Sequence, residues 1–214
     1  MPQTTLTQDQ LDGIVFVGQT LGPLFSEDPA KGDAAPLYEA LAQMDPQAAA
    51  REWPYADPQE AERALRLMQD GIAGGMDAVV DEYRRLFVGP APKVAPPWGS
   101  VYTDRDGVIF GKSALDLHDW LSANNVLVNV HDNMPDDHIG RMLSLTAWLA
   151  RNRPELLRPY LSEHLLTWAP HFLERVADRT ENPFFEGLAL LTQTCLAGMR
   201  DGLSLSVVTP RFFR

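Results

Sequence analysis

Apolar residues recur at helical spacing along most of the chain, beginning near its start. The first stripe consists of Leu11, Ile14, Val15, Gly18, Leu21 and Phe25. Just upstream, Thr7 and Gln10 have the spacing of a capping box, in which each side chain satisfies a free backbone N–H at a helix start. Together these features predict an amphipathic helix over residues 8–25.

Similar stripes with start or stop signals predict the remaining helices. Asp57 followed by Pro58 is a typical helix start, since proline lacks the N–H that the first turn leaves unpaired. A stripe over residues 76–87 ends at Gly89 and Pro90. The other predicted helices are one after a capping pair at Ser113 and Asp116, one over 139–149, one within the proline-punctuated segment 154–168, and one after the Asn182–Pro183 pair, over 184–199.

Two segments have strand-like composition. The stretch "SVYTDRDGVIF" contains Asp106 and Gly107, a pair typical of a tight hairpin turn, and "NVLVNV" is rich in β-branched residues. A lone hairpin is marginally stable, so both are interpreted as extended connections. The predicted fold class is all-α, with residues 1–214 forming a single-domain helical bundle that has long proline-rich loops.

The net charge and the lack of targeting or membrane-spanning segments in the sequence limit the kinds of partner and location that we expect. The chain carries 18 basic and 29 acidic residues, a net charge of −11. This balance disfavours nucleic acid and anionic membranes and favours a cationic partner. The sequence shows no secretory signal and no apolar run approaching the ~20 residues of a membrane span, which predicts a cytoplasmic protein without stable membrane insertion. Cys195 is the single cysteine and lies in an apolar run, which predicts a buried thiol without a disulfide partner.

Familiar catalytic motifs are absent from the sequence, and no cofactor is predicted. The chain has no nucleophile elbow, dinucleotide or phosphate-binding glycine loop, CxxC pair or HExxH. The segment "HDNMPDDHIG" nevertheless concentrates His131, Asp132, Asp136, Asp137 and His138. These side chains could serve a metal-dependent hydrolase, cap the first turn of the following helix, or form a polar corner that holds an arginine. All three interpretations stay open.

The loop "APPWGSVYTDRDG" raises a second question. Pro96 and Pro97 restrict the backbone to an extended form and thereby fix Trp98 in a rigid segment. A loop tryptophan can seal a core or offer a flat contact surface. With Phe87 and Tyr102 nearby in sequence, the loop could equally wall a peptide groove, and the residues alone leave the two interpretations balanced.

Several motifs in combination carry a family resemblance. They are Leu86-Phe87-Val88-Gly89-Pro90, Pro96-Pro97-Trp98-Gly99-Ser100 and Pro135-x-Asp137-His138, with "VGQTLGPLF", "GVIFGKSALDLHDWL", "TENPFFEGLALL" and "RFFR" in support. On these motifs the sequence resembles the TorD/DmsD family of redox-enzyme maturation chaperones over nearly its whole length.

The resemblance implies a helical chaperone without catalytic activity or cofactor. Such a protein binds the twin-arginine signal peptide of a molybdoenzyme, for example a dimethyl sulfoxide reductase catalytic subunit, and holds it until cofactor insertion and folding precede export by the twin-arginine (Tat) system. The resemblance also allows contact with the Tat translocase and with molybdenum-cofactor insertion proteins, and implies a mostly monomeric protein. The implied leader-binding residues are Tyr83, Leu86, Phe87, Pro97, Trp98, Gly111, Pro135, Asp137 and His138.

Residue chemistry is compatible with that partner. A twin-arginine leader presents adjacent guanidiniums followed by an apolar stretch, and therefore needs carboxylates beside an apolar groove. We expect Asp137 to engage the arginines with help from Glu82, Asp104 or Asp136. Phe87, Pro97 and Trp98 are expected to cover the apolar stretch. Ala91 and Ser26 stand where close relatives often carry aromatic residues, so the sequence leaves the identity of the client open.

Overall fold

The computed structural model describes residues 6–31, 34–89, 92–127 and 135–214, and within these ranges the chain is helical with irregular connections. The helices are α1 Gln8–Ser26, α2 Ala35–Gln43, α3 Pro46–Glu52, α4 Pro58–Ala73, α5 Met76–Tyr83, α6 Ser100–Thr103, α7 Lys112–Ala123, α8 Ile139–Asn152, α9 Leu157–Tyr160, α10 Ala169–Arg179 and α11 Pro183–Gly202. A π-helical turn, Arg84–Val88, continues α5, and a second, Leu161–Leu165, continues α9. The all-α prediction is confirmed.

Local capping chemistry defines the helix starts that the sequence predicted. Thr7 Oγ1 accepts a hydrogen bond from the Gln10 amide at 3.3 Å, and the Gln10 side chain accepts one from the Thr7 amide at 2.9 Å. Likewise the Asp57 carboxylate caps α4, and Asn182 Oδ1 accepts from the Phe184 amide at 2.9 Å to cap α11. Each cap satisfies donors that an isolated helix start leaves unpaired, so these predictions are confirmed.

The core forms where the longest helices face one another. α1 packs along α8, α4 along α11, and α10 along α11, and these faces bury side chains such as Leu21, Leu65, Phe172 and Leu188 completely. Each such burial contributes about 1.5–3 kcal/mol. Cys195 lies inside α11 with no exposed surface, and burial raises the pKa of its thiol to about 12. The predicted buried thiol is confirmed.

The predicted extended connection at "SVYTDRDGVIF" is wrong at its start. Residues 100–103 form the helical turn α6, in which the Asp104 amide donates to Ser100 O at 2.9 Å. Gly107, with φ 58°, closes a turn back to Asp104 O instead of joining two strands. A tertiary contact to the first amide of α6, described below, overrides the β-propensity of Val101 and Thr103. Residues 128–130 of "NVLVNV" lie outside the described ranges.

One capping prediction is wrong, and one open interpretation, that Asp136 and Asp137 cap the following helix, does not hold because His138 caps α8 instead. α7 begins at Lys112, with Gly111 as its N-cap, and the Asp104 carboxylate accepts from the Lys112 amide at 3.1 Å in place of the predicted capping box at Ser113 and Asp116. α8 begins only at Ile139, so Asp136 and Asp137 precede its first turn.

The segment after α11 runs back across the molecule. The Phe213 amide donates to Tyr102 O at 2.9 Å, and the Arg214 guanidinium donates to Lys93 O at 3.2 Å. The Phe212 ring stacks on His171 of α10 with centroids 4.1 Å apart. This segment therefore ties α10 to the loop over residues 93–102. No helix in the described parts of the chain has the length and apolarity needed to cross a membrane.

Candidate functional site

Backbone hydrogen bonds bring the three sequence motifs together. The Ala95 amide donates to Leu86 O at 3.2 Å, which joins the π-helical turn to the proline-rich loop. The Ile139 amide donates to Pro97 O at 2.8 Å, and the Gly99 amide donates to Asp137 O at 3.2 Å. The loop is thus held between the π-helical turn that precedes it and the residues at the start of α8, which come much later in the sequence.

Trp98 fills space in the interior of this junction. Only 9% of its surface is exposed, and its ring meets the His138 ring edge to face at 5.7 Å. The Lys93 ammonium lies 5.3 Å from the indole centroid, a distance typical of a cation–π contact. The rigid loop consequently uses most of the indole to seal the core and leaves little of it for a partner.

The other predicted leader-binding residues are buried as well. Tyr83, Leu86 and Phe87 are at most 4% exposed. The rings of Tyr83 and Phe87 pack in a cluster with those of Phe25, Phe172 and Phe185. Pro97, Pro135 and Gly111 are buried too. In this conformation these side chains support the surface from below, and their part in leader binding stays a prediction.

Asp137 is a buried carboxylate with one oxygen unused. Its Oδ2 accepts a 2.6 Å hydrogen bond from the Ser100 amide, the first of α6. Its Oδ1 is buried without a hydrogen-bond partner among the described residues, although the side chain is only 2% exposed. Burial raises the pKa of this carboxyl group, while the bond from Ser100 acts in the opposite direction. Asp137 therefore caps α6 and keeps an acceptor free.

The neighbours of Asp137 have different partners. His138 caps α8, with its Nδ1 accepting from the Gly140 amide at 3.2 Å, and is 4% exposed. Asp136 lies nearer the surface and pairs with His118 at 3.0 Å. The adjacent aspartates thus face two elements, α6 and α7.

Gly111 permits a close approach by Asp104. A Cβ atom on Gly111 would lie 2.7 Å from Asp104 Oδ2. That carboxylate accepts from the amides of Asp106 and Lys112, and these bonds lower its pKa. Gly111 and Asp104 together shape the start of α7.

Glu82, one of the carboxylates expected to help Asp137, has internal partners instead. It accepts two bonds from Arg85, at 2.6 and 2.8 Å, one from Thr180 at 2.8 Å and one from the Glu181 amide at 2.7 Å. Burial works to raise its pKa, but these bonds outweigh burial and the pKa lies below its usual value. Its acceptors join α5 to the α10–α11 connection, so the expectation that Glu82 engages leader arginines is not supported.

A small acidic cavity opens beside Asp137. It has a volume of about 230 Å³ and lies between α7, α8 and the π-helical turn Leu161–Leu165 with the residues that follow it. Its lining consists of Ser113, Asp116, Leu117, Asp137, Met142, Glu163, His164, Thr167 and Trp168. We call it the α7 cavity. Sequence reasoning missed Asp116, Glu163 and His164 as site residues, because they come from segments distant from Asp137.

Apolar side chains are exposed on the segment that leads into α7 and on its first turns. Val108, Ile109 and Phe110 are 46%, 42% and 55% exposed, and Leu115, on the first turns of α7, is 55% exposed. We call these four residues the 108–115 strip. Phe110 has a φ of 67°, a left-handed conformation that non-glycine residues rarely adopt. The sequence contained this signal as three consecutive apolar residues, which were interpreted as part of an extended connection.

A metal centre finds no support in the described residues. No group of three or more histidine, cysteine or acidic side chains in those ranges is arranged to hold a metal ion. His131 and Asp132, on which the hydrolase alternative depended, lie outside the described residues.

Comparison with known proteins establishes the family. Residues 55–174 match the family model described as nitrate reductase delta subunit. A Haemophilus influenzae protein named as a Tat proofreading chaperone, DmsD, is 38% identical over 97% of this chain and 100% of its own length. The Tat proofreading chaperone DmsD of Salmonella typhi is 34% identical over 96% of this chain and 98% of its own length.

The fold agrees with a solved structure. A protein of Archaeoglobus fulgidus, named as a redox enzyme maturation protein, covers 91% of this chain and 97% of its own with a TM-score of 0.54 at 22% identity. The family model and the relatives described above, rather than this fold match, define the class of protein as redox-enzyme maturation chaperones, which are not catalytic enzymes. The chain belongs to the TorD/DmsD family, and its near full-length relatives above are named as Tat proofreading chaperones of the DmsD type.

Proposed function

We propose that this protein binds the twin-arginine leader of a molybdoenzyme catalytic subunit, of the dimethyl sulfoxide reductase type, in the cytoplasm. It holds the leader until cofactor insertion and folding are complete and then releases the enzyme for Tat export. The names of the DmsD relatives support this proposal. No bond is made or broken, so the mechanism is binding followed by timed release.

The observation that carries the proposal is that one short segment, residues 108–117, supplies both the 108–115 strip and one wall of the α7 cavity. Leu115 of the strip and Asp116 of the cavity are consecutive in α7, and Ser113 of the cavity follows Phe110 by three residues. A twin-arginine leader has the same order of features, with guanidiniums next to an apolar stretch. Carboxylates in a partly desolvated cavity bind guanidinium strongly, and exposed apolar side chains gain by being covered.

The buried motif residues would act by holding this surface in shape. Trp98, with the loop bonds to Leu86 and Asp137, fixes α6 and the start of α7 before any ligand arrives. A surface that is already ordered loses little entropy on binding a flexible peptide. The nine predicted residues thus belong to the proposed leader-binding region, with Asp137 in the lining of the α7 cavity and the others as support.

Calorimetry with synthetic peptides tests the proposal. The protein is titrated with a twin-arginine leader and with the same peptide carrying alanine at both arginines. We expect the native leader to bind at least ten-fold more tightly. Equal affinity for the two peptides would contradict leader recognition. A leader peptide in scrambled order, with the same charge, controls for attraction to the net charge of −11.

Contact with the Tat translocase and with molybdenum-cofactor insertion proteins is part of the same proposal, as the step at which the leader is handed on. A client enzyme expressed with and without its leader distinguishes leader binding from binding to the enzyme body. We expect co-purification only with the leader present. Light scattering of the purified protein tests the expected monomer.

A further inference from the structure

Four cationic side chains gather where the segment after α11 crosses α10 and the proline-rich loop. We call them the basic patch, and they are Lys93, Arg175, Arg211 and Arg214. Arg175 Nε donates to Val94 O at 3.2 Å, and the Arg214 guanidinium donates to the neighbouring carbonyl, Lys93 O, also at 3.2 Å. Three separate segments of the chain therefore bring these charges to one region of the surface.

The end of the basic patch that follows α11 is held by backbone and ring contacts. The Phe213 amide donates to Tyr102 O at 2.9 Å, and the Arg211 guanidinium lies 5.1 Å from the centroid of the Phe213 ring. On α10, His171 Nε2 lies 2.8 Å from Arg214 O. These contacts order the patch before a partner arrives, which lowers the entropy lost on binding.

The charge of the basic patch is not neutralised by ion pairs. Among the described residues, no carboxylate forms an ion pair with any of its four side chains. Other cations, such as Arg85 and Arg153, do pair with neighbouring carboxylates. Lys93 and Arg175 are also half-buried, so their charges lose part of their hydration without gaining a counter-ion. The patch is therefore a concentration of unpaired positive charge in a chain whose net charge is −11.

The chemistry of the basic patch selects the kind of anion that it fits. A net charge of −11 repels long polyanions such as nucleic acid and extended anionic surfaces such as membranes. A short acidic segment of a protein meets mainly the local field, because salt screens exposed charges beyond about 8 Å at physiological ionic strength. Arg211 and Arg214 are exposed, and a guanidinium binds a carboxylate through two parallel hydrogen bonds. Peptide carboxylates therefore fit the patch best.

We infer that the basic patch is a docking surface for an acidic segment of a partner protein, whose carboxylates pair with its four cations. This inference goes beyond the proposed function, because a twin-arginine leader is cationic and is repelled by the patch. The acidic partner is therefore a different molecule, or a different part of one, from the leader arginines. The two proposals succeed or fail separately.

Fluorescence anisotropy with a labelled acidic peptide tests the inference on the full chain. The probe is a short synthetic peptide of alternating glutamate and glycine, and the matched peptide carries glutamine in place of glutamate. We expect the glutamate peptide to bind at least ten-fold more tightly at low salt and to lose affinity as sodium chloride is added. The net charge of the chain alone predicts the opposite preference. Equal affinity for the two peptides would overturn the inference.

Exposed arginines provide the variants that locate the binding. R211Q combined with R214Q removes two charges from the patch, and R51Q combined with R63Q removes two from exposed positions on α3 and α4. The first variant should bind the glutamate peptide at least five-fold more weakly, and the second should change the affinity less than two-fold. R211K combined with R214K keeps the charges and should retain most of the affinity. Equal losses in the two glutamine variants would show that the patch is not the site.

Two further measurements complete the test. Thermal melts establish that R211Q/R214Q remains folded, and K93Q, on a different segment, is a second variant that should weaken binding at least two-fold. Vesicles containing anionic lipid are used as a second probe and should not bind the protein. If the vesicles bind through the patch and the glutamate peptide does not, the patch faces a membrane and the inference is wrong.

Discussion

The Ser100 amide donates a 2.6 Å hydrogen bond to Asp137 Oδ2, across 37 positions of sequence. One carboxylate thereby starts the helical turn α6, while its second oxygen is buried without a hydrogen-bond partner among the described residues. The bond couples the loop that contains Trp98 to the segment that precedes α8, and it fixes the position of the buried Asp137 carboxylate.

Replacing Asp137 by asparagine separates its two roles. The amide oxygen can still accept from Ser100, while the buried charge is removed. Because burial raises the carboxyl pKa, the folded state binds this proton more tightly than the unfolded state. The charged form therefore costs stability once the pH rises above the unfolded pKa, and the full cost applies above the folded pKa. We expect D137N to unfold at pH 7 at an equal or higher urea concentration than wild type.

The same variant should bind the leader at least ten-fold more weakly, as measured by calorimetry. D136N is the matched control, since Asp136 pairs with His118 nearer the surface and should have a smaller effect on affinity. A strongly destabilised D137N would instead mean that the cap on α6 is the main role of the carboxylate.

Truncation of Trp98 tests the core-sealing role. With 9% exposure, W98A removes a large buried side chain and should lower the free energy of unfolding by about 3–5 kcal/mol in urea denaturation. W98F fills part of the space and should cost less. An unchanged midpoint for W98A would show that the indole contributes to a contact surface rather than to the core.

The 108–115 strip should contribute to binding without contributing to stability. Ile109 and Phe110 are 42% and 55% exposed, so I109S combined with F110N should change the free energy of unfolding by less than about 0.5 kcal/mol. Asparagine tolerates the left-handed backbone at position 110. Loss of two apolar contacts should raise the Kd for the leader roughly ten-fold.

The control for the strip is V208S, because Val208 is 82% exposed on the segment after α11. Fluorescence anisotropy with a labelled leader measures both variants. Equal Kd values for I109S/F110N and V208S would exclude the strip from the binding surface.

The dependence of the free energy of unfolding on pH should reveal the contribution of the Glu82 charge. Its folded-state pKa lies below the ordinary value because of its bonds to Arg85, Thr180 and the Glu181 amide. Such a group contributes stability above its unfolded pKa and loses that contribution as the pH falls through the folded pKa. We expect E82Q to cost about 1–3 kcal/mol at pH 7. The difference from wild type should shrink below about pH 4.

Urea midpoints across this pH range measure the effect. E155Q is the control, since Glu155 forms an exposed pair with Arg153 and should show almost no difference at any pH. A difference between E82Q and wild type that stayed constant into acid would rule out the carboxylate charge as its source.

The helix starts at Thr7, Asp57 and Asn182 could be predicted because each cap is made within three residues of sequence. The turn α6 could not, because the carboxylate that caps it comes from Asp137. The β-branched residues Val101 and Thr103 favour a strand, but the contact from Asp137 stabilises a helical turn instead. The Asp104 cap on α7 was missed for the same reason, since it replaces a plausible local one.

The candidate site likewise contains residues that the sequence could identify and properties that depend on distant contacts. Asp137 and Trp98 could be singled out from motifs, but their burial depends on how α6, α7 and α8 meet. Arg85 is a local partner of Glu82, but the bonds from Thr180 and the Glu181 amide come from about a hundred residues away and could not be predicted. Glu163 belongs to a proline-punctuated helical segment, and only the tertiary structure places it opposite Asp116.

The segment after α11 affects the order in which the contacts of the protein can form. Its residues Phe212 and Phe213 hold His171 and Tyr102, and the ribosome makes them after every helix described above. A nascent chain that has already formed α6 and α10 therefore still lacks the contacts of Phe212 and Phe213 that join these two helices. The loop that carries Trp98 therefore receives this support only after all of the helices described above have been synthesised.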